Sequence, residues 1–362
     1  MRRFLGSLIV IAALTVGPSG AASAAPPPGV RCGDTVSGTV TLTRSLSCRG
    51  VAFHVHAPDE LILDLAGFTL TGPGRDSGIP AIAYTGDAYE DTLTLTIHNG
   101  AVRGWGKMID AFWATVTTTA VKVVDVDHFT DGDSLRLTIQ SSRYRNAGNV
   151  AGYGGSVTVI DSVLDSTWIT GGVSFGADVI RSTIKNVPGT ALSASEGGID
   201  VTDSVIVNTG TAIAAYWSGV NVTRSVLKNN EVGVFTDRGG SISAGWTDTF
   251  VDSSFVGNGT ALSLSIDATV TGNTFTRNDR AVYSDTADRF LVQQIELYSN
   301  VLTRNGDAIY VDGPSVLKNN RAVANRGIGI YAPDATDLGG NIAYRNGVSP
   351  QCTGVVCTTS RS

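Results

Sequence analysis

Charge is what this sequence has least of. Only 16% of its 362 residues are Asp, Glu, Lys or Arg, against 42% hydrophobic. That balance excludes a disordered chain, which stays unfolded because it has too little apolar surface to bury. Basic residues are the scarcer sign, 26 against 32 acids for a net charge of -6, and no run of them stands out along the chain. Phosphate neutralisation requires a basic face, so no nucleic acid partner is expected. Beyond residue 16 no stretch approaches 18 uninterrupted apolar residues, and the mature chain is expected to lack a membrane span. An apolar stripe of 3.6-residue period is also missing, which excludes helical arrays and leucine-rich repeats with a helix. Histidine occurs four times, at His54, His56, His98 and His128, and no Cys/His spacing of the zinc type accompanies it.

The first residues do contain one apolar run. Arg2 and Arg3 precede Phe4 to Val16, and small residues follow as far as "AASAAPPPG". This is the pattern of an export signal spanning residues 1–24, cleaved after Ala24. "RRFL" also offers a twin-arginine route, although that pattern normally places a residue between the arginines and the Phe. An exported chain meets an oxidising compartment, so Cys32, Cys48, Cys352 and Cys357 are expected as disulfides. The local pairs, Cys32 with Cys48 and Cys352 with Cys357, are favoured because the repeats between them should hold the chain ends apart.

What the sequence has in abundance is one recurring phrase. "STIKNVPGTALSA", "SVIVNTGTAIAAY" and "SNVLTRNGDAIYV" share a small polar anchor, an Asn, a Gly and two short apolar segments. Anchors fall at Ser142, Ser162, Ser182, Ser204, Ser225, Ser254, Asn273, Asn300, Asn320 and Asn341, spaced by 19 to 22 residues except for intervals of 29 and 27. A second column follows at Asn186, Asn208, Asn229, Asn258, Asn278, Asn305, Asn325 and Asn346. The segments are rich in Val, Ile and Thr and punctuated by Asn and Gly, which makes them strands. A period near 21 with two or three strands per unit predicts an all-β, parallel β-helix solenoid over residues 59–347, with stacked Asn and Ser columns as scaffold. Residues 25–58 would form a disulfide-bearing cap and residues 348–362 a disulfide-closed tail, because an open end exposes unpaired backbone.

"CGDTVSGTVTLTRSLSC" followed by "LILDLAGFTLTG" resembles the opening turn of secreted bacterial right-handed parallel β-helix proteins of the pectate-lyase-like superfamily. The tail "GIGIYAPDATDLGGNIAYRNGVSPQCTGVVC" is similar to the closing turns of actinobacterial members. The resemblance implies a right-handed β-helix and leaves activity open, since this fold carries lyases, hydrolases, epimerases and plain binding proteins. Members that hydrolyse pectin carry Asn-x-Asp, Asp-Asp, Gly-His-Gly and Arg-x-Lys, a set that this sequence does not hold.

The two long intervals locate the candidate site. They place "TDRGGSISAGWTDT" and "SDTADRFLVQQIE" on one side of the rod, two turns apart, with Tyr216, Trp217, Trp246 and Asp267 nearby. Aromatic rings beside carboxylates and arginines suit an extended polysaccharide, including a uronate-containing one. For a lyase, Arg238 or Arg289 would serve as base or clamp while Asp237, Asp248, Asp267 and Asp285 offered calcium ligands. For a hydrolase, Asp237 with Asp285 or Asp267 would form the acid pair. Calcium is therefore a candidate ligand, although "DVDHFTDGD" at residues 125–133 lacks the EF-hand spacing and reads as a solvated acidic loop. The sequence thus suggests a secreted, extracellular, monomeric β-helix that binds and could cleave a polysaccharide. The contrasting reading is a non-catalytic, adhesin-like rod. Ile213 is expected to face the core.

Overall fold

A computed structural model describes residues 29–56, 60–85, 92–130, 132–151, 153–237, 247–265, 267–285 and 294–359. The export signal at residues 1–24 lies outside them. Helix is confined, among the described residues, to one short turn at Arg75–Ser77, and the rest of the regular structure is strand. The strands coil as a β-solenoid of about 14 turns, every strand pairing in parallel with its equivalent one turn away.

Each turn presents three faces. The first carries strands such as Gly38–Thr41, Glu60–Asp64, Ser134–Gln140, Gly198–Thr202 and Ala268–Thr271. The second carries Leu46–Ser47, Thr69–Thr71, Val226–Lys228 and Thr274–Thr276. The third carries Asp34–Thr35, Phe53–His56, Val232–Asp237, Arg280–Asp285 and Asp307–Asp312. The first three short strands pair with the next turn, so the segment bearing Cys32 and Cys48 already takes part in the solenoid.

Alternation along each strand sends one side chain inward and the next outward, and parallel register stacks like on like. Inside, Ile184, Ile206, Leu227, Phe255, Phe275 and Leu302 form one continuous row of fully buried residues. Phe255 and Phe275 stack at 4.9 Å. Ile213 is fully buried between Leu192 and Val234, as the alternation requires. Thr118 and Tyr144, both buried in the interior, share a 2.9 Å hydrogen bond, and burial pushes the Tyr144 hydroxyl pKa well above its ordinary value.

The two polar columns sit at the corners of the rod. From Ser142 to Asn341 each anchor's backbone N–H donates to the next anchor's side-chain oxygen, for example Ser162 to Ser182 at 3.0 Å and Asn300 to Asn320 at 3.1 Å. One anchor is corrected: the buried member is Ser253, which accepts from the Ser225 N–H at 3.1 Å, while Ser254 starts the following strand and faces outward. The second column also divides. Its buried members are Asn230, Asn258, Asn278, Asn305, Asn325 and Asn346, and Thr209 continues it upstream. Asn186, Asn208 and Asn229 stand one position earlier, exposed and left-handed (φ 54° to 57°), which Asn tolerates better than most residues.

The exposed side of the first corner is ionic. Arg181 forks onto Asp161 at 2.7 and 2.9 Å, and Arg224 onto Asp203 at 2.7 and 2.8 Å. The guanidinium hydrogen bonds hold both carboxyls below their ordinary pKa. At the far end Gln351 closes the buried amide column, accepting from the Asn346 N–H and Nδ2 and donating to the carbonyls of Asn346 and Val348. Both local disulfides are formed, with Cα–Cα distances of 5.5 Å for Cys32–Cys48 and 6.3 Å for Cys352–Cys357.

Candidate functional site

Outward positions of the third face form two rows. One contains Phe235, Ser263, Tyr283, Tyr310 and Tyr331 on successive turns. Tyr283, Tyr310 and Tyr331 stack with centroids 5.3 and 4.9 Å apart and planes within 17°. Stacking covers both faces of Tyr310, so what this row offers a ligand is ring edges and hydroxyls. Burial, then the Asp285 charge, raises the pKa of Tyr283, and burial, then Asp312, raises that of Tyr310, so these two hydroxyls remain protonated at neutral pH. Tyr283 donates to Asp285 at 3.2 Å, and the Arg280 guanidinium lies 4.7 Å from the Tyr283 ring centre.

The second row runs beside the first. Tyr216 pairs in register with Asp237, and Asp285 with Asp312. Asp237 and Asp285 therefore share a row but are separated by the turn of Thr260–Ser263, so their backbones stand roughly 10 Å apart at about 4.8 Å per turn. The acid neighbouring Asp285 is Asp312, which the repeat arithmetic did not single out. Asp267 lies across the corner, ahead of the first-face strand, and accepts from the Gln294 N–H at 2.8 Å. Asp248 is fully buried and accepts from the Val220 N–H, so it serves the corner rather than the surface. Tyr216 and Trp217 are 43% and 40% exposed and present ring surface to solvent, with Tyr216 tilted against Phe235 at 5.9 Å. Arg238, Arg289 and Trp246 lie outside the described residues.

The tyrosine row was legible only as strand filler, in "RAVYS", "DAIYV" and "GIGIY". Its signal was an aromatic recurring at the same place in successive units. "DVDHFTDGD" proves to start within a strand: Asp125, Asp127 and His128 end the run Trp113–His128, with Asp127 bound to Arg75 and His128. Hydrogen bonds to those two residues hold the Asp127 pKa below its ordinary value against the opposing effect of burial.

With this geometry in view, comparison with known proteins gives one match. Residues 171–349 match the family described as periplasmic copper-binding protein (NosD). No curated protein and no solved structure matches the chain. The matched span covers the turns with the most regular Ser and Asn columns.

Copper favours thiolate, thioether and imidazole donors. Residues 171–349 contain no Cys, Met or His at all. Elsewhere the four cysteines are oxidised and Met108 is fully buried, and no three His, Cys, Asp or Glu side chains converge as metal ligands among the described residues. The residues present do not fit copper, and calcium finds no support in them either. What this chain shares with the family over that span is its repeat architecture.

Proposed function

We propose that the protein binds an extended polysaccharide along its third face. The observation that carries this reading is the row Tyr283, Tyr310 and Tyr331, flanked in register by Asp285 and Asp312. Protonated phenols donate and carboxylates accept, so successive sugar hydroxyls along a chain lying parallel to the rod would each find a partner at the turn spacing. Tyr216 and Trp217 add apolar ring surface at one end of the track. The export signal read at residues 1–24 and the two disulfides favour a location outside the cytoplasm.

Calorimetry against neutral and uronate polysaccharides tests the reading. Tyr310→Ala should weaken binding by about 1 kcal/mol, roughly five- to tenfold, through loss of one hydroxyl and collapse of the stack. Unchanged affinity in a folded variant would sink it. A cleaving activity is a second reading, favoured by one observation: Asp285 and Asp312 stand on adjacent turns, close to the roughly 5 Å separation of a retaining glycosidase. Reducing ends or unsaturated uronate released from the same panel would establish it, and their absence alongside retained binding would leave a binding rod.

A further inference from the structure

On the second face, coiling gathers cations that are scattered in sequence. Lys122 and Arg143 lie in register on adjacent turns, and Arg103 and Arg145 occupy the neighbouring row with Val124 between them. All four cations are exposed. The sequence shows no run of basic residues, and coiling is what brings these four together, because residues about 21 apart become neighbours roughly 4.8 Å apart.

Like charges directly opposite one another destabilise a sheet. Nearby acids do not relieve this pair: Asp161 is held bidentately by Arg181, and Asp165 by Lys185 and Asn186, with Arg145 rather than Lys122 or Arg143 in register beside it. Among the described residues neither Lys122 nor Arg143 makes an ion pair. Beside them the corner residues Gly100, Ala120 and Ser141 are small, which leaves a depression of about 400 Å³ lined also by Lys122, Arg143 and Asp161.

We propose that Lys122 and Arg143, flanked by Arg103 and Arg145, bind a phosphate group in this depression. A phosphate monoester carries about -1.5 to -2 charges at neutral pH and three acceptor oxygens, which matches two bracketing cations better than a carboxylate does. The guanidinium fork takes two oxygens and the ammonium a third. A nucleic acid duplex would extend past the patch onto the sign-balanced ladder of Asp161, Arg181, Asp203 and Arg224, where its phosphates meet acids. The phosphate belongs either to the free ion or to a sugar. The site lies on a different face from the tyrosine row and stands independently of the polysaccharide reading.

Calorimetry of the mature protein at low salt, with inorganic phosphate, glucose 6-phosphate and glucose, tests the proposal. Phosphate and glucose 6-phosphate should bind at one site and glucose should not. The Lys122→Gln/Arg143→Gln variant should lose roughly tenfold or more in affinity. Lys228→Gln, an exposed cation on the same face several turns away, should bind as the parent does. Tighter binding of glucose 6-phosphate would identify a sugar-borne phosphate and tighter binding of inorganic phosphate the free ion; either order upholds the site. Absence of binding by both, or equal binding in a double variant with unchanged melting temperature, would overturn it.

Discussion

Replacing Asn305 by Ala should be among the most damaging single changes available to this rod. The Asn305 side chain is fully buried and makes four hydrogen bonds. Its Oδ1 accepts from the Asn278 N–H at 2.9 Å and Nδ2 at 3.0 Å, and its Nδ2 donates to the Phe275 carbonyl at 3.1 Å and Asn325 Oδ1 at 3.0 Å. At a net value of about 1 kcal/mol per bond, truncation should cost about 4 kcal/mol, much of it from the Asn278 N–H left buried without its partner. The matched control is Asn208→Gly, which keeps the left-handed backbone and loses only exposed amide contacts at 3.3 and 3.5 Å; it should cost less than about 1 kcal/mol. Urea unfolding with the disulfides intact measures both. Because a solenoid can open turn by turn, hydrogen exchange at the Asn278 amide provides a local reading. A loss in Asn305→Ala no larger than that in Asn208→Gly, or an Asn278 amide that stays protected, would refute this account of the column.

Two further outcomes are expected. Ile213→Asp places an unpaired charge in the core between Leu192 and Val234 and should abolish cooperative unfolding, read by circular dichroism; an unchanged melting temperature would refute the strand register there. The Asp178 carboxyl is raised above the ordinary aspartate pKa by burial and then by the Asp200 charge on the next turn, with the Thr158 hydrogen bond opposing. A carboxyl with a raised folded pKa costs stability when ionised, and the cost disappears as pH falls through that value. Asp178→Asn should therefore raise the melting temperature at pH 7 and converge with the parent below the unfolded value; a constant difference across that range would contradict the assignment.

Periodicity made the architecture readable because a solenoid repeats its contacts, and a residue type needed at a corner must recur at the length of a turn. Doublets set the limit of that reading. In Ser253–Ser254 and Asn229–Asn230 the sequence offers two identical side chains, and only the folded chain shows which one turns inward. The left-handed position ahead of each buried anchor accepts Asn readily, and Asn186, Asn208 and Asn229 occupy it, so the exposed Asn row mimics the buried one. Arg103, Lys122, Arg143 and Arg145 form no run along the chain and become a cluster only across turns. The tyrosines passed as strand residues because stacking depends on register between units.

The amide column closed by Gln351 has a consequence for how this molecule can change over generations. Every rung presents the same acceptor to the turn before it and the same donors to the turn after it, so rungs are interchangeable. Excising residues 300–319 would set Asn273 against Asn320 and Asn278 against Asn325, each meeting the partner type it already has. Copy number of the unit is thus free to drift by whole turns through recombination, and the sealed ends stay constant while the length of the lateral faces varies.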